Sequence, residues 1–324
     1  MQDSSQQSFY QLTPDQILDA IESTSIEPQV SLLALNSYEN RVYQFRDYDE
    51  KKYVTKFYRP DRWTDEQIFE EHQFSIELAQ NEIPVVPPLL FNNESLLKIN
   101  GFRFSIFECK GGRTPELEDK KTLEWIGRFI GRIHAIGEIA PFTQRPELTI
   151  ESYAVKGSNY LLENEFIPNH ILPAYQAITS QLIELCLKIF DNFGNYPLLR
   201  LHGDCHPSNI LWTDDGPHFV DFDDARNGPA VQDLWMLVSD VENKELWNSL
   251  LIGYEDFMEF DDRQLKLVEP LRTIRMIRYS AWLARRWEDP SFKHNFPWFN
   301  TTRYWEEHIL SLKEQLAVMQ NTAY

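Results

Sequence analysis

Cysteine is rare in this sequence, and the few cysteines present do not suggest a disulfide framework. Only Cys109, Cys186 and Cys205 occur among 324 residues. Their number is odd, they lie far apart, and they lack the spacing of zinc ligands. Because disulfides are rare in reducing compartments, such sparse use of cysteine favours a cytoplasmic protein.

Long apolar runs are also missing. No stretch reaches the roughly 18 uncharged apolar residues that a membrane span requires. The polar segment 1–10 has no apolar core of the kind found in signal peptides. We therefore expect a cytoplasmic chain that has no membrane partner.

Basic residues are outnumbered by acidic ones. The chain has 31 Lys and Arg against 50 Asp and Glu, which gives a formal net charge of −19. A charge of this sign disfavours diffuse binding to nucleic-acid phosphates or to anionic lipid. We expect no nucleic-acid partner, and any phosphate group that binds this chain needs a local cationic pocket.

Glycine is scarce as well, with 12 residues and no Gly-x-Gly-x-x-Gly run. A loop that covers nucleotide phosphates must therefore differ from the glycine-rich type. Our candidate is the segment 36–40, Asn-Ser-Tyr-Glu-Asn, whose short polar side chains and backbone can donate hydrogen bonds to phosphate oxygens. Ser37 and Asn40 are its predicted nucleotide-binding residues, and a plain polar turn is the alternative.

Strand patterns dominate the first third of the chain. Residues 41–45, 53–58 and 102–107 alternate between two faces and are rich in β-branched and aromatic side chains. The charged turn 46–51 predicts that the first two form an antiparallel hairpin. A helix over 64–80 interrupts this sheet, and a capping-box signature marks its start.

Helical patterns dominate the remainder. The predicted helices cover 120–139, 171–193, 232–241, 245–259, 262–287 and 304–319, and the predicted strands cover 198–201, 210–212 and 218–221. We predict an α+β fold with two unequal lobes around a cleft. A small N-terminal lobe, residues 1–108, holds an antiparallel sheet plus a helix. A larger, mostly helical C-terminal lobe covers residues 109–324, and the chain crosses between the lobes near 108–114.

The strongest chemical signal is a set of short motifs. The run from His202 to Asn209 reads His-Gly-Asp-Cys-His-Pro-Ser-Asn, and Asp221 follows twelve residues later at the end of an apolar segment. In kinase catalytic loops an Asp accepts a hydrogen bond from the attacking hydroxyl and an Asn five residues later binds Mg²⁺. A strand-terminal Asp then binds the metal ions that bridge the nucleotide phosphates.

From this spacing we predict Asp204 and Asp221 as catalytic residues and Asn209 and Asp221 as Mg²⁺ ligands, with ATP as the phosphate donor. The two lobes are accordingly expected to form a protein-kinase-like fold. An isolated Asp204 can cap a loop, but no single packing requirement explains all three residues together.

His202 and His206, which flank Asp204, are open to a second interpretation. Histidine combined with a carboxylate suits zinc, but a third protein ligand at recognisable spacing is missing. We favour histidines that brace the backbone around Asp204.

Lys56 lies within the apolar strand 53–58, where an inward-pointing ammonium costs several kcal/mol unless an anion neutralises it. ATP phosphates and a helix carboxylate supply such anions, although a solvated lysine is the alternative. Glu71 shares a helix face with apolar residues and is the predicted partner. Glu70 stays open, because helix phase read from sequence is uncertain by about a residue.

Other features have a structural interpretation. Gly127 and Gly131, followed by His134, allow a helix to pack closely against a neighbour. Asp233 is suited to holding the catalytic-loop backbone through buried amide hydrogen bonds. The aromatic residues of the segment 282–299 are interpreted as core packing.

The arrangement resembles the aminoglycoside phosphotransferase and choline-kinase-like enzymes. More narrowly, the strings LNSYENRVYQF at 35–45, KFYRP at 56–60 and VDFDDARNGP at 220–229 are similar to the bacterial stress response kinase A family. The similarity runs through nearly the whole chain.

This resemblance implies a cytoplasmic serine/threonine protein kinase of bacterial stress response. It implies Asp204 as the proton acceptor, Asn209 and Asp221 as Mg²⁺ ligands, and Ser37 at the ATP site. The protein substrate rests on the narrower resemblance alone, because the wider family mostly phosphorylates small-molecule hydroxyls.

Three functions follow as hypotheses. The first is a monomeric kinase that phosphorylates a Ser or Thr hydroxyl of a protein. The second keeps the fold and phosphorylates a small alcohol, such as an amino alcohol or a sugar. An acidic cleft with Asp223, Asp224 and Glu255 would suit a cationic substrate of that kind. The third is a pseudokinase that only binds partners, which the intact catalytic motif disfavours.

Overall fold

A computed structural model describes residue 9 and residues 12–322 of the chain. The prediction that segment 1–10 is not a signal peptide therefore lies outside the described residues, apart from residue 9. Within the described part, no helix is both long enough and apolar enough to cross a membrane. The three cysteines are free, as predicted.

A five-stranded antiparallel sheet forms the N-terminal lobe, with the strand order β1-β2-β3-β5-β4. The strands are β1 Leu33–Ala34, β2 Arg41–Arg46, β3 Lys52–Phe57, β4 Leu97–Ile99 and β5 Phe102–Glu108. The register of β2 and β3 pairs Arg41 with Phe57 and Arg46 with Lys52. The predicted hairpin is thus confirmed.

Two helices accompany this sheet, α1 Pro14–Glu22 and α2 Asp65–Gln80. The Thr64 hydroxyl accepts a hydrogen bond from the Gln67 amide, and the Gln67 side chain accepts one from the Thr64 amide. These bonds satisfy backbone donors that a helix start leaves unpaired, which confirms the predicted start of α2. Helix α1, which has the same type of cap, was not predicted.

Helices make up most of the C-terminal lobe. They are α3 Lys120–Glu138, α4 Lys156–Glu163, α5 Leu172–Phe193, α6 Lys244–Tyr254, α7 Val268–Arg285, α8 Pro290–Asn295 and α9 Thr302–Thr322. Four short strands form two antiparallel pairs, β6 Leu199–Leu201 with β9 Arg226–Gly228 and β7 Ile210–Thr213 with β8 Gly216–Phe219. The apolar core of this lobe includes Phe74 and Leu78 of α2, so that helix connects the two lobes by packing.

Helices α3 and α6 cross at close range. A Cβ atom added to Gly127 would lie 2.0 Å from the Leu250 carbonyl oxygen, and one added to Gly131 would lie 2.4 Å from that of Tyr254. Any larger side chain at these positions would force the helices apart. The predicted packing role of the two glycines is confirmed.

Four predicted elements are wrong in type or extent. The helix expected over 245–259 ends at Tyr254. The helix expected over 232–241 is a 3₁₀ turn, Ala230–Asp233, followed by further turns, because consecutive residues there are buried and no polar helix face is left for solvent. The helix expected over 262–287 begins as α-helix only at Val268, after a 3₁₀ segment. The strand expected over 218–221 ends at Phe219, because Asp221 has a positive φ of 64°.

Candidate active site

Buried hydrogen bonds to Asp233 hold the loop that carries Asp204. The Asp233 carboxylate accepts hydrogen bonds from the amides of His202, at 2.7 Å, and Gly203, at 2.8 Å. His134 Nε2 lies 3.1 Å from the same carboxylate. Because a buried carboxylate with several donors keeps its neighbours in one geometry, Asp233 positions the loop backbone, as predicted.

Gly203 is required by the shape of this loop. Its φ is +84°, and a Cβ atom at this position would lie 2.1 Å from the Asp224 carbonyl oxygen. Both the left-handed conformation and the close backbone approach favour glycine. The loop therefore passes directly against the segment that follows Asp221.

His202 connects those two segments. Its Nδ1 accepts a hydrogen bond from the Asp204 amide at 3.3 Å, and its Nε2 donates to the Val220 carbonyl at 2.9 Å. Both ring nitrogens are thus occupied, which leaves neither to bind a metal ion. The ring braces the backbone on either side, and the zinc alternative finds no support here.

Hydrogen bonds hold together the stretch of chain that carries Asp204, Asn209 and Asp221, here called the acidic unit. Asn209 Nδ2 donates to the Asp204 carbonyl at 2.9 Å, and the Val220 amide donates to the Asn209 carbonyl at 3.0 Å. Asn209 Oδ1 and Asp221 Oδ2 have no hydrogen-bond partner within the described part of the chain. One carboxylate and one amide oxygen, completed by substrate phosphates and water, form a donor set that fits Mg²⁺.

Lys56 enters this unit from β3. Its ammonium lies 2.9 Å from Asp221 Oδ1 and 3.3 Å from Asp223 Oδ1. Burial by itself would lower the pKa of Lys56, but the charges of Asp221 and Asp223 outweigh it and raise that pKa well above its ordinary value. Lys56 is therefore a charged, buried cation at the base of the cleft.

The predicted direct pair of Lys56 with Glu71 is wrong. Glu71 is buried and its charge helps to raise the pKa of Lys56, but its ion pair is with Arg145, at 3.5 Å. Arg145 comes from the segment after α3 and is the cation nearest this carboxylate. The Lys56 ammonium pairs with the Asp221 and Asp223 carboxylates instead.

Burial shows which of Glu70 and Glu71 faces the interior, a question that the sequence left open. Glu71 points inward, whereas Glu70 accepts hydrogen bonds from the backbone amides of residues 143, 144 and 145. Burial raises the pKa of Glu71 to about 7, although Lys56 and Arg145 oppose the shift. The pKa of Glu70 is lowered, because the hydrogen bonds from those amides favour its charged form and outweigh the effect of burial.

The two carboxylates should therefore give stability opposite pH dependences. Between its ordinary pKa and about 7, Glu71 holds a proton in the folded chain that it has lost in the unfolded chain. Its contribution to stability is present below the ordinary pKa and is lost as the pH rises through 7. In the unaltered chain, the free energy of unfolding should therefore decrease between pH 5 and pH 8. In Glu71→Gln the decrease over the same range should be smaller by about 2 kcal/mol.

Glu70→Gln is the matched control, since its lowered pKa confines the pH effect to the acidic side of that window. Urea denaturation followed by circular dichroism at pH 5, 6, 7 and 8 measures all three proteins. The Glu70→Gln curve should run parallel to that of the unaltered chain at lower stability. A parallel curve for Glu71→Gln would contradict the raised pKa of Glu71.

Asn40 and Ser37 differ in what surrounds them. The Asn40 amide donates to Asp223 Oδ2 at 3.0 Å and accepts from the Arg59 amide at 3.0 Å. Its side chain is buried, and these two bonds anchor the loop. A contact of Asn40 with phosphate stays a prediction. The Ser37 hydroxyl has no hydrogen-bond partner among residues 12–322. Its place at the nucleotide stays a prediction.

Asp223 and Asp224 do not make the cleft acidic, contrary to the expectation for a cationic substrate. Arg62 forms ion pairs with both carboxylates, and Arg278 pairs with Asp224 at 2.9 Å. Burial would raise the pKa of Asp223, but Arg62 and Lys56 outweigh it and lower that pKa to about 2. The two carboxylates are ionised and neutralised by arginine. Glu255 is exposed at the end of α6.

Four arginines of the site were not predicted. Arg62, Arg145 and Arg278 are described above, and Arg275 of α7 places Nη1 2.7 Å from Asp204 Oδ1. A signal for Arg275 was available, because α7 carries an arginine at every third position from 272 to 278 in an otherwise acidic chain. Arg62 and Arg145 have no such local pattern.

Comparisons with known proteins show the family of this chain. Residues 31–268 match the sequence model of the phosphotransferase enzyme family. The chain is 44% identical over 314 residues to Stress response kinase A of Escherichia coli (strain K12), covering 96% of this chain and 95% of that protein. It is 43% identical over 313 residues to a Salmonella typhimurium protein named serine/threonine protein kinase RdoA, covering 96% and 94% of the two chains.

A solved structure shares the fold. Amicoumacin kinase hAmiN, in complex with AMP-PNP, Ca²⁺ and Ami, superposes with a TM-score of 0.68 at 18% identity, covering 86% of this chain and 88% of that one. At such low identity the likeness is one of fold. The predicted two-lobed, protein-kinase-like α+β architecture is confirmed.

Proposed function

This chain belongs to the phosphotransferase enzyme family, and on that basis we propose that it is a serine/threonine protein kinase that uses ATP and Mg²⁺. The curated relatives named above carry the names of a stress response kinase and of a serine/threonine protein kinase, which supports a role in bacterial stress response. The observation that carries the proposal is the acidic unit of Asp204, Asn209 and Asp221. Hydrogen bonds of Asn209 with Asp204 and Val220 hold its backbone, and Lys56 pairs with Asp221.

Asp204 has one oxygen available for an acceptor. Its Oδ1 pairs with Arg275, while Oδ2 lies 3.5 Å from His206 Nε2 and has no closer partner among the described residues. In the proposed reaction Oδ2 accepts a hydrogen bond from the attacking hydroxyl. As the new oxygen–phosphorus bond forms and the bond to the ADP oxygen breaks, Oδ2 takes the hydroxyl proton.

The other site residues would bind the metal ion and the phosphate groups of ATP. Asn209 Oδ1 and the Asp221 carboxylate would bind Mg²⁺, which when bound neutralises phosphate charge. Lys56 and Ser37 would bind phosphate oxygens of ATP. Placement and charge of this kind supply most of the catalysis in phosphoryl transfer, because the transition state demands little covalent chemistry from the protein.

We also propose that the lobes divide near residue 108, as 1–108 and 109–324. In support, β5 ends at Glu108 and α3 begins at Lys120, so a short connection joins the sheet to the helical lobe. A cytoplasmic location and a monomeric state belong to the same proposal.

A small alcohol is the second candidate acceptor. The shared fold with amicoumacin kinase favours it, since the name of that protein describes a small-molecule kinase. The arginines around Asp223 and Asp224 argue against a cationic alcohol.

One assay separates the two candidates. The purified chain is incubated with [γ-³²P]ATP, with Mg²⁺ or with EDTA, and label is followed into the chain itself and into a generic protein. ADP release is measured in parallel with a panel of amino alcohols, sugars and hydroxy acids. We expect Mg²⁺-dependent labelling on Ser or Thr. Turnover of one small alcohol far above any protein labelling would favour the alternative, and no turnover in either arm would reject both.

A further inference from the structure

Arg275 pairs with the proposed catalytic base through the carboxylate oxygen that the acceptor does not use. It projects from α7 and places Nη1 2.7 Å from Asp204 Oδ1. Its side chain is 42% exposed, whereas that of Asp204 is 24% exposed. The guanidinium is therefore partly open to solvent while it pairs with the proposed base.

Most of the hydrogen-bonding capacity of Arg275 is unused. Asp204 is its one hydrogen-bond partner among the residues that the structure describes, and Nε and Nη2 donate to none of them. A guanidinium has five N–H donors in a planar fork that matches the geometry of carboxylate and phosphate groups. A second anion can thus bind Arg275 while its contact with Asp204 stays in place.

The charged residues near Asp204 also favour an anionic over a cationic acceptor. Asp223 and Asp224 are neutralised by Arg62 and Arg278. Neither carboxylate is left to attract a cationic acceptor, although the whole chain carries a formal net charge of −19.

We infer that Arg275 is a specificity-determining residue that selects acceptor hydroxyls flanked by anionic groups. This inference rests on the proposed protein kinase function and names its substrate class: Ser or Thr residues next to Asp, Glu or phosphorylated side chains. An acidic flank pairs with the free side of the guanidinium. A basic flank meets a like charge there, which disfavours it.

Peptides of equal length test the inference. Each has one Ser acceptor, flanked by Glu, by Ala or by Lys, and kcat and KM are measured with [γ-³²P]ATP. We expect the unaltered chain to show a KM about fivefold lower for the Glu peptide than for the Ala peptide, and a higher KM for the Lys peptide. In Arg275→Gln the three KM values should converge.

The ratio of kcat/KM between peptides shows whether Arg275 recognises the acceptor flank or only supports Asp204. Loss of the bond from Arg275 to Asp204 changes kcat for every peptide alike, so it leaves the ratios of kcat/KM unchanged. Arg303→Gln is the matched control, because this arginine is 86% exposed and paired with Glu307 in the first turns of α9. The control should keep the preference. An equal loss on all peptides in Arg275→Gln, or no preference in the unaltered chain, would overturn the inference.

Failure of the proposed function gives a different result. If no peptide or protein is labelled but a small alcohol is, the protein kinase proposal fails. The charge preference is then measured with hydroxy acids against amino alcohols of the same length. Preference for the hydroxy acids, lost in Arg275→Gln, would support the role of Arg275, and preference for the amino alcohols would refute it.

Discussion

Asp204→Asn should lower kcat by a factor of about 10³ while the chain stays folded. Asparagine has nearly the same shape as aspartate, but its amide cannot take the proton of the acceptor hydroxyl. The loop itself should persist, because its shape depends on the backbone groups of residue 204 and on Asp233 rather than on the Asp204 carboxylate. Nucleotide binding should likewise persist, since Lys56, Asn209 and Asp221 are unchanged.

Three measurements check this expectation. Transfer of label from [γ-³²P]ATP gives kcat, calorimetry gives nucleotide affinity, and thermal denaturation reports the fold. Asp215→Asn makes the same chemical change at an exposed turn between β7 and β8 and should behave like the unaltered chain. If Asp204→Asn labels acceptors as fast as the unaltered chain does, Asp204 is not the base.

Asp221→Asn should reduce activity on the order of 10³-fold at a fixed low Mg²⁺ concentration, because the site loses its charged metal ligand. The substitution keeps the backbone, since asparagine, like aspartate, tolerates the left-handed conformation found at this position, where φ is 64°. Lys56 keeps Asp223 as an anionic partner. The chain should therefore fold, and the loss should be one of metal and phosphate binding.

A Mg²⁺ titration distinguishes this loss from a general defect. The Mg²⁺ concentration that gives half-maximal activity should rise by at least about tenfold in Asp221→Asn, whereas Asp215→Asn should leave it unchanged. An unchanged Mg²⁺ requirement, with or without lower activity, would remove Asp221 from the set of metal ligands.

Local pattern was enough to predict much of the fold. The capping box at Thr64 and Gln67 and the β2–β3 hairpin involve residues close together in the chain, and both were confirmed. The helix expected over 232–241 was wrong because tertiary burial on several sides replaced the amphipathic pattern there. Helix ends also shifted where a buried turn preceded the helix, as at Val268.

The acidic unit of the site also depends on residues close together in the chain. Asp204, Asn209 and Asp221 lie within one loop and one short hairpin, and hydrogen bonds within that segment bring them together. Their spacing in the sequence therefore determined their mutual placement, and with it the prediction of a phosphotransferase. Membership in that family is confirmed, while the roles of the individual residues stay predictions.

The ion-pair partners of Lys56, Glu71 and Asp204 were decided by tertiary structure alone. Lys56 pairs with Asp221 and Asp223, Glu71 with Arg145, and Asp204 with Arg275. Each of these pairs joins distant parts of the chain. An ion pair requires its two charges to lie within a few ångströms, and only the packing of the lobes sets that distance. Sequence spacing does not fix that distance. The arginine repeat of α7 marks Arg275 in the sequence, but its pairing with the proposed base appeared only in the folded chain.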